Sequence, residues 1–269
     1  MFLGNSARLG IDAQKDRYCC VLYQPKQRKV IASRCFSTRV IESINAWVKS
    51  YAIKKLYCSM TLPMDQVENY HLVSDNVLQV REVVSELSFY KKEYFPGLSG
   101  NLCYDFSRQD KEGFYDCYAC ARESVKSKKF FVNHLKKALL CHLEPEQLVM
   151  QRVAFLSSGF DKFESTLILY VSRELRYVLS QGGVIKSCGS FVCESMNELS
   201  NYLRQLVESF YQSIDKVLVL YADELRFKLI RSAVDRPVDY VNFSVNSEGN
   251  KNIGEFIIAF CLVSADEKN

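Results

Sequence analysis

Asp12 is the first residue of this sequence whose type and position could do chemistry. It lies near the end of a short apolar run, residues 8–13, and precedes a polar turn at residues 14–17. A carboxylate beside such a turn can hold a metal-bound water, while backbone N–H groups of the turn can bind phosphate. Asp12 and the neighbouring Gln14 are therefore candidate nucleotide-binding residues.

Cys117 and Cys120 form a Cys-x-x-Cys pair, a spacing used in zinc and redox sites. Residues three apart on a strand point to opposite faces, and no second Cys or Cys/His pair follows at zinc-finger spacing. We expect both to be core residues, with no metal site. The sequence also contains no Gly-x-Ser-x-Gly, His-Glu-x-x-His or Walker-type motif, so no catalytic residue is assigned.

The composition is typical of a folded cytoplasmic protein. Hydrophobic residues make up 48% of the 269 residues and charged residues 25%, enough for a sizeable core. The longest apolar run, residues 256–263, is about half of the ~20 residues that a membrane-spanning helix needs, and the start lacks the apolar core of a secretory signal. The 11 cysteines, an odd number, argue against a disulfide framework. We expect a reducing, cytoplasmic location.

Positive charge is concentrated in the first part of the sequence. Residues 1–150 carry 22 Lys and Arg against 16 Asp and Glu, whereas residues 151–269 carry 13 against 15. The excess peaks at residues 122–137, with six basic residues and one acid. The alternatives are a solvated helix face, a nucleic-acid patch and a surface for an anionic membrane. We favour the helix face and expect no nucleic-acid partner.

Hydrophobic periodicity predicts the elements that must position these residues. The first sixty residues indicate three strands, a helix and a fourth strand: 8–13, 18–23, 29–36, 40–51 and 55–61. The middle of the chain indicates a strand, a helix, a strand pair and a second helix: 67–73, 76–94, 102–107 with 114–122, and 125–143. Phe131, Leu135, Leu139 and Leu143 would face inward on that second helix.

The last third repeats the opening order. A hairpin at 165–171 and 174–179, a turn at Gly182–Gly183 and a strand at 184–192 precede a helix over 196–214 and a strand at 216–221. A short helix at 222–232, a strand at 238–243 and a helix at 253–263 close the chain. Two β-β-β-α-β halves predict an α/β fold of the actin-like (ribonuclease H-like) class. We expect a first half over 1–150, with an inserted α+β subdomain at about 64–123, and a second half over 151–269.

In that fold, a nucleotide site needs tight turns that face the cleft between the halves. The first turn has Ala13 where a glycine would help the backbone approach phosphate. The corresponding second-half turn, 172–174, brings Glu174, which would repel phosphate, and the expected Gly-Gly turn is replaced by residues 222–224. We therefore expect a degenerate site, with neither ATP nor magnesium as a cofactor and no hydrolysis.

Four stretches of the sequence resemble those of PilM-like proteins of type IV pilus assembly and their shorter, competence-associated HofM-like relatives. They are RLGID at 8–12, LYCSMTLP at 56–63, LCYDF at 102–106 followed by residues 115–122, and NIGEFIIA at 252–259. The resemblance extends over nearly the whole chain and depends more on the order of elements than on identity.

The resemblance implies a cytoplasmic scaffold or adaptor that is peripheral to the inner membrane. PilM-like proteins bind the N-terminal cytoplasmic segment of a membrane protein, PilN, in a groove of the first half and its inserted subdomain. That groove would lie within about residues 55–143 here, with Val67, Tyr70, Val77 and Val84 as candidate groove residues. A homo-oligomer is compatible with this role.

Two other functions remain open from the sequence. One is an active actin-like ATPase with divergent turns. The other is the cytoplasmic domain of a GspL-like type II secretion protein, which shares the fold. Nucleotide binding would distinguish the first, and the second would be expected to continue into a membrane helix after roughly this length.

Overall fold

The structure, a computed structural model, describes residues 6–108, 113–157, 161, 163–241 and 254–264. The strands are β1 (Ser6–Ala13), β2 (Tyr18–Gln24), β3 (Lys29–Phe36), β4 (Lys55–Leu62), β5 (Val67–Val73), β6 (Leu102–Arg108), β7 (Phe114–Ala121), β8 (Ala138–Pro145), β9 (Thr166–Val171), β10 (Glu174–Gln181), β11 (Val184–Val192), β12 (Lys216–Tyr221) and β13 (Val238–Tyr240). The helices are α1 (Val40–Lys49), α2 (Val80–Phe89), α3 (Lys91–Tyr94), α4 (Arg122–Asn133), α5 (Glu146–Phe155), α6 (Met196–Phe210), α7 (Glu224–Ala233) and α8 (Ile257–Ser264).

Two five-stranded sheets carry the two halves, and their strand orders correspond. The first is β3-β2-β1-β4-β8 and the second is β11-β10-β9-β12-β13. In each sheet, three antiparallel strands are followed by a helix and then by a strand that is parallel to the first. Parallel neighbours need a crossover connection, which the helix provides. This confirms the predicted duplication. In α1, Ile44, Trp47 and Val48 lie on one face of the helix and are buried against the first sheet.

The inserted subdomain is a three-stranded antiparallel sheet, β5-β7-β6, covered by α2. Its strands lie where the sequence predicted them. The predicted helix at 76–94 is shorter, because it begins at Val80 after a capping box between Gln79 and Glu82, and it breaks at Tyr90 into α2 and α3. Val77 therefore precedes the helix.

The predicted helix over 125–143 is wrong in its second half. The helix α4 ends at Asn133, the chain turns through Lys137 at a φ of 64°, and β8 then pairs with β4. Leucines four apart lie on one face of a strand as well as of a helix, so their spacing did not distinguish the two structures. Leu139 is 61% exposed rather than inward-facing.

The helix α5 was not expected from the sequence, and it carries the chain from the first sheet to the second. Seven of its ten residues are buried, so it lacks the amphipathic stripe that reveals a surface helix. The expected boundary at residue 150 falls within it.

The C-terminal part of the chain was predicted as a strand over 238–243 and a helix over 253–263. Within the described residues the strand is β13, and the helix is a 3-10 turn at Gly254–Phe256 followed by α8; residues 242–253 lie outside them. The helix α8 packs on β1 and on α5. Among the helices that the structure describes, none combines the length and the apolar character required to span a bilayer.

Candidate functional site

A buried arginine, Arg176, occupies the cleft between the two halves. Strand β10 directs it from the second half towards Asp12 at the end of β1, and Nη1 and Nη2 each donate to an Asp12 oxygen at 3.1 Å. The same guanidinium is paired with Glu146, the first residue of α5. All three side chains are buried, with exposures of 1%, 0% and 3%. One cation thus joins both halves and the helix between them.

Tyr170 completes the environment of this guanidinium. It is the cross-strand partner of Arg176 on β9, and the guanidinium carbon lies 4.0 Å from the centre of its ring, a cation–π contact. Burial raises the pKa of the Tyr170 hydroxyl well above its ordinary value. That hydroxyl donates at 2.7 Å to the carbonyl oxygen of Glu255 in the C-terminal 3-10 turn, so the turn is attached to the same cluster.

The carboxylate of Asp12 has further partners. The Gln14 side chain donates from Nε2 to Oδ2 at 2.8 Å, and the Thr61 hydroxyl lies 3.5 Å from Oδ1. The backbone N–H of Ala13 in turn donates to that hydroxyl at 2.9 Å. Both predicted nucleotide-binding residues, Asp12 and Gln14, are therefore brought together, but each is buried and engaged with protein groups.

The side chains of the two second-half turns are also engaged with protein groups. Burial raises the pKa of Glu174, whose carboxylate lies across the cleft from the turn after β1 and close to Asp12 and Asp16. Asp223 is the N-cap of α7, where it accepts a hydrogen bond from the Arg226 N–H at 2.9 Å and pairs with the Arg226 guanidinium. In place of the expected Gly-Gly turn, this N-cap carboxylate therefore begins a helix.

A second concave site, which we call the junction groove, lies where the inserted subdomain meets the first sheet. Its volume is about 180 Å³, and apolar groups dominate its walls. It is formed by the ends of β4 and β8, by the three subdomain strands and by α4, so it is lined from six elements. Its residues are Leu62, Val67, Cys103, Tyr104, Asp105, Tyr118, Ala119, Cys120, Val125, Leu143 and Pro145.

The four residues predicted for a partner groove are dispersed. Val67 lines the junction groove, whereas Tyr70 stacks on Tyr94 at 4.0 Å within the subdomain core. Val77 and Val84 are exposed, at 48% and 37%, and do not line it.

The Cys-x-x-Cys pair is divided between two faces of β7. Cys117 packs in the subdomain core beneath α2, and Cys120 faces the junction groove. Burial raises the pKa of the Cys117 thiol to about 12 and that of Cys120 to about 11. The expectation that both are packed residues on opposite faces is confirmed.

Helix α4 places positive charge next to the junction groove. Val125 forms part of its wall, while Lys126 is exposed and paired with Glu123. On the same helix, burial lowers the pKa of Lys128, whereas the negative charge of Asp65 raises it. Four of the six basic residues of the run lie on α4 and the last two follow it before β8, so the run is in the main a helix face, as favoured from the sequence, and it is adjacent to an apolar groove.

The sequence does not identify Arg176 and Glu146 as residues of the cleft. A single arginine within the buried strand β10, and an acid directly after Pro145, are the only signals they leave. Because Arg176 lies 164 residues from Asp12, no local pattern joins them.

A scan against protein-family models and a search of the curated proteins gave no match. Among solved structures, the chain is similar to a PilM–PilN type IV pilus biogenesis complex, with a TM-score of 0.72 and 14% identity over 96% of this chain and 98% of that one. It is also similar to the cytoplasmic domain of EpsL, an inner-membrane component of the type II secretion system of Vibrio cholerae, with a TM-score of 0.55 and 10% identity over 95% and 93% of the chains.

A third similar structure is a Bacteroides thetaiotaomicron protein with an actin-like ATPase fold. It has a TM-score of 0.54 and 12% identity over 96% of this chain and 97% of that one. At such identities these likenesses concern the fold. The chain therefore has the actin-like fold, with the duplicated halves and the inserted subdomain that its sequence predicts.

Proposed function

We propose that this protein is a cytoplasmic adaptor in the assembly of a type IV pilus or a type II secretion system. It binds the short cytoplasmic N-terminal segment of a PilN-like inner-membrane protein. The observation that carries this proposal is the apolar junction groove between the first sheet and the inserted subdomain. Apolar anchors of a short segment would enter the groove and become ordered on binding.

The structural neighbours support this role. The similar PilM was solved as a complex with PilN, and EpsL is an inner-membrane component of a secretion system. The basic face of α4 next to the groove suits a protein held close to an anionic membrane leaflet through its partner.

The cleft between the two halves is filled by its own side chains, which argues against nucleotide binding there. Asp12 is paired with Arg176 and Gln14, so a metal ion bound there would have to displace a buried guanidinium. That exchange leaves an unpaired charge in a low-dielectric site, which costs several kcal/mol. We infer that the nucleotide site is degenerate and that this protein is not an ATPase.

A charge introduced in the junction groove should abolish most partner binding. We expect Val125→Glu to weaken binding of a synthetic PilN-like N-terminal segment about 30-fold, because the carboxylate would be desolvated against an apolar anchor, a loss of about 2 kcal/mol. Glutamate is a good helix former, so α4 should be preserved. Isothermal titration calorimetry measures the change, with a synthetic peptide whose sequence is that of the PilN-like protein encoded in the same genome.

Val84→Glu is the matched control, since it makes the same substitution on an exposed position of helix α2. The proposal expects binding within about twofold of that of the unmodified protein. A loss in Val84→Glu alone would place the partner on the α2 face. Equal losses in both variants would show that the effect is not specific to the junction groove. Either result would contradict the proposal.

Nucleotide should leave the protein unaffected. A ligand present at 100 times its Kd would add about 2.7 kcal/mol to the free energy of unfolding, which a melting curve resolves. We expect neither heat nor a shift in Tm when millimolar Mg-ATP is titrated. Micromolar binding would contradict the degenerate cleft and favour the ATPase.

A further inference from the structure

A pair of cysteines on adjacent strands lies next to the cleft and has no role in the proposed function. Cys19 on β2 and Cys35 on β3 are direct cross-strand partners, and their Sγ atoms are 2.7 Å apart. A disulfide needs a separation of about 2.05 Å. The two sulfur atoms are therefore already close to bonding distance, and only a small further approach is needed.

We propose that Cys19 and Cys35 form a reversible, redox-active disulfide pair, with Cys35 as the attacking thiol and Cys19 as the resolving thiol. Cys35 is partly exposed, whereas Cys19 is fully buried, so an oxidant in solution reaches Cys35 first. The hydrogen bond between the thiols lowers the pKa of Cys35 and raises that of Cys19. The guanidinium of Arg17 also favours the Cys35 thiolate.

The oxidant that fits this geometry is a low-molecular-weight disulfide. The Cys35 thiolate, having released its proton to water, attacks one sulfur of that disulfide and expels the first small thiolate. Cys19 then attacks the mixed disulfide at Cys35 Sγ, releasing its proton and the second small thiolate. Two protein thiols thus lose two electrons and two protons, and one small disulfide becomes two small thiols.

A metal site is the competing explanation for this cluster. Ligand atoms of Cys19, Cys35 and Glu255 lie within 4.8 Å of one another. However, Arg17 is ion-paired with Glu255, so a divalent cation would have to displace or adjoin a guanidinium. Cys103 and Cys120 are also cross-strand partners, on β6 and β7, and provide an internal comparison for a redox pair.

The pair is connected to the elements that join the two halves. Cys19 packs in a cluster with Phe256, Ala259 and Val263 of the C-terminal turn and helix, and its Sγ accepts a hydrogen bond from Gln14 Nε2 at 3.5 Å. Closing this bond between β2 and β3 restricts the unfolded chain, so oxidation should raise the thermal stability of the first sheet.

The test uses the full-length protein, equilibrated in buffers with graded ratios of reduced to oxidised glutathione. Free thiols are then alkylated under denaturing conditions and counted by mass spectrometry, with the bond mapped by peptide analysis. We expect two of the 11 thiols to disappear together as a Cys19–Cys35 bond and the Tm to rise by about 5 °C. Loss of no thiols, or a bond that maps to Cys103–Cys120, would overturn the proposal.

Two serine variants separate this pair from general thiol reactivity. In Cys35→Ser the glutathione ratio should no longer alter the Tm, and no intramolecular bond should form. In Cys141→Ser, which alters an exposed cysteine of β8, both effects should persist. A titration with zinc chloride alone distinguishes the disulfide from a metal site. If zinc binds stoichiometrically, requires Cys19 and Cys35, and protects both from alkylation, the cluster is a metal site and the proposal is wrong.

Discussion

Replacing Arg176 by alanine is expected to lower the free energy of unfolding by about 3–5 kcal/mol, because it removes one partner of a buried ionic cluster. Asp12 and Glu146 would remain buried without their shared cation. The truncation would also remove the guanidinium from the face of Tyr170. Denaturant unfolding followed by far-UV circular dichroism measures the change.

A neutral version of the same cluster distinguishes charge from packing. In the triple variant Asp12→Asn, Arg176→Met and Glu146→Gln, no buried charge is unpaired, so most of the loss should be recovered, since similar replacements are often neutral or stabilising. If Arg176→Ala costs less than about 1 kcal/mol, the cluster does not hold the halves together. A triple variant as unstable as Arg176→Ala would mean that packing, rather than charge, is responsible.

Substituting alanine for Gly10 should be almost as destabilising, although it adds only one methyl group. A Cβ at this position of β1 would lie 1.8 Å from the carbonyl oxygen of Ala259 in α8. That oxygen belongs to a helix backbone, so the helix as a whole would have to move away from the sheet. We expect a loss of about 3 kcal/mol, the upper range for overpacking, and increased proteolysis around α8.

Gly189→Ala is the matched control for this prediction. Its Cβ would meet the ring of Tyr177 at 2.8 Å, and a half-buried side chain can shift slightly where a helix backbone cannot. The expected loss is about 1 kcal/mol. Thermal melts of the two variants should therefore separate clearly, and equal Tm values would show that α8 is not held tightly against β1.

Local patterns in the sequence predict much of this fold. The three strands that open each half are short apolar runs joined by turns, and an amphipathic helix follows each, so the duplication can be seen without identity between the halves. The turn at Gly182–Gly183 has φ values of 60° and 80°, the conformation that glycine adopts without strain. Such features depend on neighbouring residues alone.

The sequence left two elements unclear, a helix without a polar face and a strand that follows closely after a helix. The helix α5 lacks a polar stripe because it is enclosed between the sheets, and β8 reads as a continuation of α4 because its leucines are four apart. In both cases tertiary contacts, rather than periodicity, decide the structure.

The candidate sites depend still more on distant contacts. Asp12 is identifiable as an acid beside a turn, but its partner Arg176 belongs to a strand of the other half. The junction groove likewise combines Leu62, Cys103 and Leu143, which are far apart in sequence. The resemblance to PilM-like proteins implied a partner groove within about residues 55–143; of its candidates Val67 lines the junction groove and Val84 does not, a difference that local sequence does not reveal.

We propose that this actin-like protein recognises the cytoplasmic segment of a membrane protein without the help of nucleotide. A single calorimetric experiment tests it, with the PilN-like segment titrated into the full chain in the presence and in the absence of millimolar Mg-ATP. We predict micromolar binding with one segment per chain and the same Kd under both conditions. Binding that appears only with Mg-ATP, or no binding under either condition, would contradict the claim.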